Sequence, residues 1–210
     1  MANSTLATLR TAVRNILMDK ASSANSRWSD EDLKGFFNAA LLDMSRVAKR
    51  IKIDSAISFA VNDGYKVWAP ADYFEINDLY WTITSSGKKH ELKPGAEKYP
   101  VSDETGKPLY YWYIDGNIYV RPIPTGAGTL TPIYLRRFPD LSADADIPEP
   151  VDADDILKAR ALAEALDYDG NALAKTWEDK YKSLLGAWSV DEKRRNKQPV
   201  SRRVRVLPFR

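Results

Sequence analysis

A 210-residue chain with no cysteine and a single histidine offers few places for chemistry to start. The lone imidazole, His90, lies in the polar run from Ser85 to Lys93. A Ser-His-Asp triad built on it would have an exposed and mobile general base, so an ordinary loop histidine is expected. With no thiol there can be no disulfide framework, cysteine-based zinc site or thiol nucleophile. Carboxylates are concentrated between Asp140 and Asp155, where seven acidic residues stand without a basic one. Asp144 and Asp146 invite a calcium reading, yet neither EF-hand spacing nor the glycine at its turn is present. We expect Asp140, Asp144, Asp146 and Glu149 to be solvated or paired with basic residues of an adjacent subunit. Asp152, Asp154 and Asp155 read as carboxylates at the start of a helix, where the dipole favours negative charge. Neither GxGxxG nor GxxxxGK[ST] occurs, so no phosphate-cradling loop is available. The expectation is a non-enzyme with no catalytic residue, no cofactor and no metal.

Charge supplies the next signal. From Ser189 to Arg210 eight basic residues face Asp191 and Glu192, leaving +6. The whole chain carries +2, so the preceding 188 residues carry −4. An acidic body with a basic end suggests that the end has an anionic destination of its own. Within it, Arg202, Arg203 and Arg205 interleave with Val204, Val206, Leu207 and Phe209. A purely solvating tail has little need of those apolar side chains. Val204-Arg205-Val206 has the form of a strand that adds to a sheet edge or runs through a groove. No run of about 18 apolar residues occurs, and Met1–Thr11 has no apolar signal core. A soluble protein of a reducing compartment is expected.

The elements that would position these residues fall in an α–β–α order. Thr5–Asp19 carries Leu6, Leu9, Val13, Ile16 and Leu17 at helical spacing. After a Ser/Ala/Asn-rich linker over Lys20–Arg27, Ser29 with Asp32 approximates a capping box, and Trp28 is placed to staple the entry. Leu33, Phe36, Phe37, Ala40, Leu41, Met44, Val47, Ala48 and Ile51 then make one unbroken stripe. The middle, from about Ile53 to Phe138, is β-rich. Ile57–Val61 and Tyr65–Trp68, around Asn62-Asp63-Gly64, read as a hairpin; Ile76–Thr84 and Thr129–Phe138 read as strands. Lys88–Lys107 reads as a long polar excursion. The plainest hairpin is Leu109–Pro124, in which aromatic and β-branched residues alternate around Asp115-Gly116-Asn117. Both of its faces carry large side chains, so one face is expected to meet something besides solvent. Tyr110, Trp112 and Tyr119 are the candidates. Last come a helix with Ile156, Leu157, Ala159, Leu162, Ala163 and Leu166, and another with Leu173, Trp177, Tyr181, Leu184, Leu185 and Trp188 on one face.

The fold class expected is therefore α+β. A bundle of about four helices carries an inserted small antiparallel β-sandwich or barrel and an extended C-terminal tail. The division is residues 1–52 as a helix pair, 53–139 as the inserted lobe, 140–192 as the second helix pair and 193–210 as the tail.

Four stretches together give a resemblance. They are Trp28–Leu33, Pro70–Ile76, Tyr110–Ile114 with Ile118–Pro124, and Tyr134–Ser142 leading into helices rich in alanine and aromatic residues. In this layout, over nearly its whole length, the chain resembles the head-to-tail adaptor (connector) proteins of tailed phages, particularly the tail tubular protein A type. The polar stretch Lys88–Lys107 departs from that pattern, and its partner stays open. The resemblance implies a structural virion protein at the head–tail interface of a bacteriophage, assembled in the host cytoplasm and away from membranes. It implies a homo-oligomeric ring, usually of about twelve copies, a closed assembly that needs two different complementary patches per subunit. The ring would join the portal protein to the tail nozzle protein and surround the channel through which genomic DNA is ejected. Arg202, Arg203, Val204, Arg205, Val206, Leu207 and Phe209 would dock on the portal. Tyr110, Trp112 and Tyr119 would serve ring or nozzle contacts.

Two other classes remain on the residues alone. A nucleic-acid-binding module would use the Arg-rich C-terminal tail as its anchor and the Tyr/Trp hairpin as a stacking platform. A body of −4 suits a phosphate-tracking groove poorly. The one enzyme worth weighing is a carbohydrate- or tail-processing hydrolase.

Overall fold

A computed structural model describes residues 4–19, 27–96, 103–150 and 152–197. Four helices and ten strands follow in the order α1 (Leu6–Leu17), α2 (Asp30–Ala48), β1 (Ile51–Ile53), β2 (Ile57–Phe59), β3 (Tyr65–Val67), β4 (Tyr73–Ile83), β5 (Lys89–Pro94), β6 (Thr105–Gly106), β7 (Tyr110–Ile114), β8 (Asn117–Arg121), β9 (Ile123–Pro124), β10 (Gly128–Arg136), α3 (Asp154–Tyr168) and α4 (Leu173–Lys197). The chain divides into two compact units, residues 1–48 with 138–210 and residues 49–137. The class is α+β, four helices and a curled mixed sheet that forms a half-barrel. No described helix is long and apolar enough to cross a membrane.

In the helical unit, local capping and burial agree. Thr5 caps α1 by accepting from the Thr8 amide. Ser29 and Asp32 form the reciprocal box: Asp32 N donates to Ser29 Oγ at 3.0 Å and Ser29 N donates to Asp32 Oδ2 at 2.9 Å. Trp28 is buried and lies edge-on to Phe36 and to Tyr168 of α3, with ring centroids 5.8 and 5.3 Å away. The core collects Leu6, Leu9 and Val13 from α1, Leu33, Phe37, Leu41 and Met44 from α2, Ile156, Leu157 and Leu162 from α3, and Tyr181 and Trp188 from α4. Helix α3 is buried nearly all round, and its alanines 159, 161 and 165 let the neighbouring helices approach closely. Ile16, read onto the core stripe of α1, is instead 49% exposed. Helix α2 stops at Ala48, where Lys49 turns left-handed at φ 47°, so Ile51 begins a strand and not a last helical turn. Helix α4 continues to Lys197, which makes residues 193–197 helical where a tail was expected. The remainder of that tail, with Arg202 to Phe209, lies outside the described residues, as do Lys20–Ser26 of the linker.

Two buried arginines bind the start of α2 to α1. Arg10 reaches Asp30 at 3.2 Å and also pairs with Asp144. Arg14 reaches Asp19 at 2.7 Å and Asp30 at 2.8 Å. Phe138 and Leu141 are fastened to α2 as well: Phe138 N donates to the buried Ser45 Oγ at 2.8 Å, and Leu141 N donates to Asn38 Oδ1 at 2.8 Å.

In the lobe the sheet order is β1-β10-β4-β5-β7-β8-β3, with β2 also on β10. Two expectations change here. First, β2 and β3 do not pair as a hairpin: β2 pairs with Gly128–Leu130 of β10, whereas β3 pairs with Asn117–Tyr119 of β8. The turn residues at Asn62-Asp63-Gly64 are real, with Asn62 at φ 65°, but they carry the chain from one edge of the sheet to the other. Second, the polar excursion contains a strand. β5 pairs antiparallel with β4 and parallel with β7, so the sheet is mixed and not purely antiparallel. Its one large apolar residue, Leu92, is buried. The Asp115-Gly116 turn joins β7 to β8 with φ of 49° and 76°, both positive as a type I′ turn requires. Gly128 is fixed by packing, since a Cβ there would stand 2.2 Å from the Trp81 ring.

The arginine network generates a pH prediction. The hydrogen bond from Arg14, with the charges of Arg10 and Arg14, holds the Asp30 carboxyl below its ordinary 3.8 in spite of some burial. The pairing thus stabilises the fold fully above the unfolded-state pKa and loses its contribution as the pH falls through the folded value. Asp30 is largely solvated, so screening keeps the effect to about 1 kcal/mol or less. Asp30→Asn should lower stability near neutral pH and flatten the loss below about pH 4 in denaturant titrations. An acid limb identical to the parent's would show that Asp30 contributes nothing.

Candidate interaction surface

The β7–β8 hairpin presents two faces of opposite character. Tyr111, Tyr113, Ile118 and Val120 face the lobe core, which is built from Phe59, Trp68, Leu79, Trp81, Leu92, Leu130 and Tyr134. Trp68 holds the aromatic part together, edge-on to Tyr73, Tyr113 and Tyr134 at 5.5, 5.6 and 5.2 Å. Its indole N–H donates to Asp54 Oδ2 at 2.8 Å. Burial of the phenols pushes the pKa values of Tyr111 and Tyr113 upward, as expected for rings turned inward.

The three residues expected at an interface come together on the opposite face. Trp112 pairs across the strands with Tyr119, and Tyr119 in turn with Tyr65 of β3, so the three share one side of the sheet. Tyr65 and Tyr119 are stacked with centroids 5.4 Å apart. Tyr110, two residues before Trp112, lies on the same side and is 45% exposed. Trp112 lies flat over the backbone at Gly95, where a Cβ would fall 2.0 Å from its ring. Sequence reading missed Tyr65 and Val67, which extend this face to the end of the sheet. Their signal was apolar–Lys–apolar alternation, misassigned to a hairpin with β2.

His90, weighed as a general base, and Asp144, Asp146 and Asp154 of the acidic stretch each have a partner in the structure. His90 is not in a loop: it sits on β5 opposite Trp81, with Nε2 2.7 Å from the Pro108 carbonyl. Asp144 pairs with Arg10 of its own chain, so no neighbouring subunit is needed to satisfy it. Asp146 accepts from Ala143 N at 2.8 Å, Ser142 N at 2.7 Å and Ser142 Oγ at 3.0 Å. Those bonds hold its carboxyl below the usual range. Asp154 accepts from Ser4 N at 3.0 Å. Among the described residues, no group of three or more His, Cys, Asp or Glu is placed to hold a metal ion. A hollow of about 540 Å³ belongs to the helical unit and is lined by Ile16, Met18, Trp28, Leu173 and Trp177 among others.

The two faces of the hairpin should respond differently to substitution. Tyr110→Ser, on the outer face, should change unfolding stability by no more than about 0.5 kcal/mol. Ile118→Ala, on the inner face and fully buried, should cost about 2–5 kcal/mol. Urea unfolding monitored by tryptophan emission measures both. Equal losses would mean that the outer face is also a packed core.

Comparison with known proteins adds a separate line of evidence. A search of curated proteins finds no match. A family model, the SU10 adaptor protein, matches residues 4–205 and so spans both the helical unit and the lobe. That family has a structural part in a phage particle. The chain belongs to the SU10 adaptor protein family.

Proposed function

We propose that this chain is a head-to-tail adaptor of the tail tubular protein A type and not an enzyme. About twelve copies form a ring between the portal protein and the tail nozzle protein, each giving two different surfaces to its neighbours. The observation that carries this reading is the aromatic row of Tyr65, Tyr119, Trp112 and Tyr110 on one side of the sheet, exposed at Tyr65 and Tyr110 and half-buried at Trp112 and Tyr119. A rigid row of that composition is the material from which protein interfaces draw most of their binding energy. Family membership supports the same role.

The body's charge of −4 over 188 residues fits a channel lining that repels phosphates and lets DNA slide during ejection. It argues against the nucleic-acid-binding alternative. The basic residues gathered at the C-terminus then serve the portal: Arg202, Arg203 and Arg205 pair with carboxylates there, while Val204, Val206, Leu207 and Phe209 fill apolar pockets or add a strand. Ordering such a segment costs conformational entropy, so charge alone does not suffice and the apolar residues contribute.

Deleting residues 198–210 leaves α4 whole and should not change the melting temperature. It should abolish portal attachment, giving DNA-filled heads without tails. Serine at positions 206, 207 and 209 should weaken attachment even at low salt. Normal docking by both variants would remove the tail from the mechanism.

A further inference from the structure

The two outer edges of the lobe's sheet are built alike, although they are formed by unrelated parts of the chain. At one edge β1 reads Ile51-Lys52-Ile53, and at the other β3 reads Tyr65-Lys66-Val67. Inward backbone bonds at β1 come from its even-numbered residues: Arg136 N donates to Arg50 O at 2.9 Å and Asp54 N donates to Pro132 O at 3.0 Å. The same parity holds at β3, where Val120 N donates to Gly64 O at 3.0 Å and Trp68 N donates to Gly116 O at 2.8 Å. In each strand the lysine therefore faces its ladder partner. The two apolar residues turn their N–H and C=O outward, where those groups meet no partner among the described residues. Ile51 and Ile53 are 61% and 67% exposed, and Tyr65 and Val67 are 56% and 76% exposed.

Side-chain direction matches as well. Lys52 turns to the core side, over the Tyr134 ring, and Lys66 does the same over Phe59. Both edges thus carry their lysine inside and their apolar pair outside. A lysine on an edge strand ordinarily deters pairing with another sheet. Here each is held by an aspartate, Lys52 to Asp72 at 2.9 Å and Lys66 to Asp63 at 2.7 Å. The edges meet a partner as ion pairs and not as bare charges.

We propose that neighbouring copies of this chain join edge to edge, β1 of one subunit running antiparallel beside β3 of the next. In that register Ile51 faces Val67 and Ile53 faces Tyr65 as hydrogen-bonded pairs. Inner faces continue into inner faces, and the aromatic row continues into the two isoleucines. The contact is heterologous, because it uses two different edges, and a heterologous contact closes into a ring if its rotation permits. This inference rests on the ring reading and names the strands that make it.

The cysteine-free chain permits a direct test. Particles assembled with an Ile53→Cys, Tyr65→Cys double variant are treated with a short thiol–thiol crosslinker and run on denaturing gels. A ladder in steps of one chain is expected, and each single variant should stop at the monomer. Particles that hold several copies per tail by quantitative mass spectrometry yet give no ladder overturn the edge pairing and leave the ring standing. One copy per tail overturns both. Should the cysteine variant fail to assemble, Val67→Glu provides a second reading. The free variant should keep the parent's melting temperature, since the side chain is exposed, but be lost from particles; normal incorporation overturns the pairing.

Discussion

Ion pairing inside the helical unit is the constraint on which its other contacts depend. Arg10 and Arg14 are 8% and 5% exposed, so their charges must be answered from within. Asp19 answers Arg14, and its two oxygens also accept from the amides of Arg27 and Trp28 at 3.1 and 3.3 Å. That second duty fixes Arg27 and Trp28 just ahead of α2. Trp28 is thereby placed under Tyr168 and Phe36, and Ser29 at the position from which it caps the helix. Asp30 and Asp144 answer from α2 and from the acidic stretch. A single pair of arginines thus fixes α1, the entry to α2 and the segment after Phe138. Of these pairs only Arg14–Asp19 is buried on both sides, and removing one partner of such a pair costs about 3–5 kcal/mol, because the other charge is left behind in a poor solvent.

The lobe obeys a different constraint, the two-sidedness of a strand. Each large residue turned inward from β7 and β8 forces a neighbour outward, and here the neighbours are aromatic too. The inner row finds Trp68, Trp81 and Tyr134. On the outer side Trp112 and Tyr119 are half-buried, while Tyr65 and Tyr110 stay 56% and 45% exposed. A protein that exposed such a row without use would carry an aggregation hazard. On the proposed function, a neighbouring protein covers it.

Much of this was legible locally. The capping box at Ser29 and Asp32 and the Asp-Gly turn of β7–β8 depend on neighbours a few residues apart, and both formed as read. The helical stripes were legible because burial follows the 3.6-residue period, with Ile16 near the end of α1 and Leu173 at the start of α4 left exposed and Ile51 passing into β1. What failed was long-range partnership. Ile57–Phe59 and Tyr65–Val67 look like two arms of a hairpin, yet β10 and β8 offered each arm a better neighbour. β5 was hidden because only Leu92 among its residues is a buried apolar side chain. Asp144 is a surface carboxylate as read, 75% exposed, but nothing local reveals its partner Arg10, 134 residues away. The interface candidates Tyr110, Trp112 and Tyr119 were legible as a group, and Tyr65 was not, since its place beside Tyr119 is a tertiary fact.

On the proposed function, a helical unit locked by internal ion pairs and a lobe with an outward aromatic row belong to a part held between larger parts. Cryo-electron microscopy of the intact particle tests that claim most directly. The account predicts this chain as a closed ring around the DNA axis, between portal and tail nozzle, with the β7–β8 outer face buried against a neighbour. A single copy, a place on the capsid surface or in a fibre, or an aromatic face left open to solvent would contradict it.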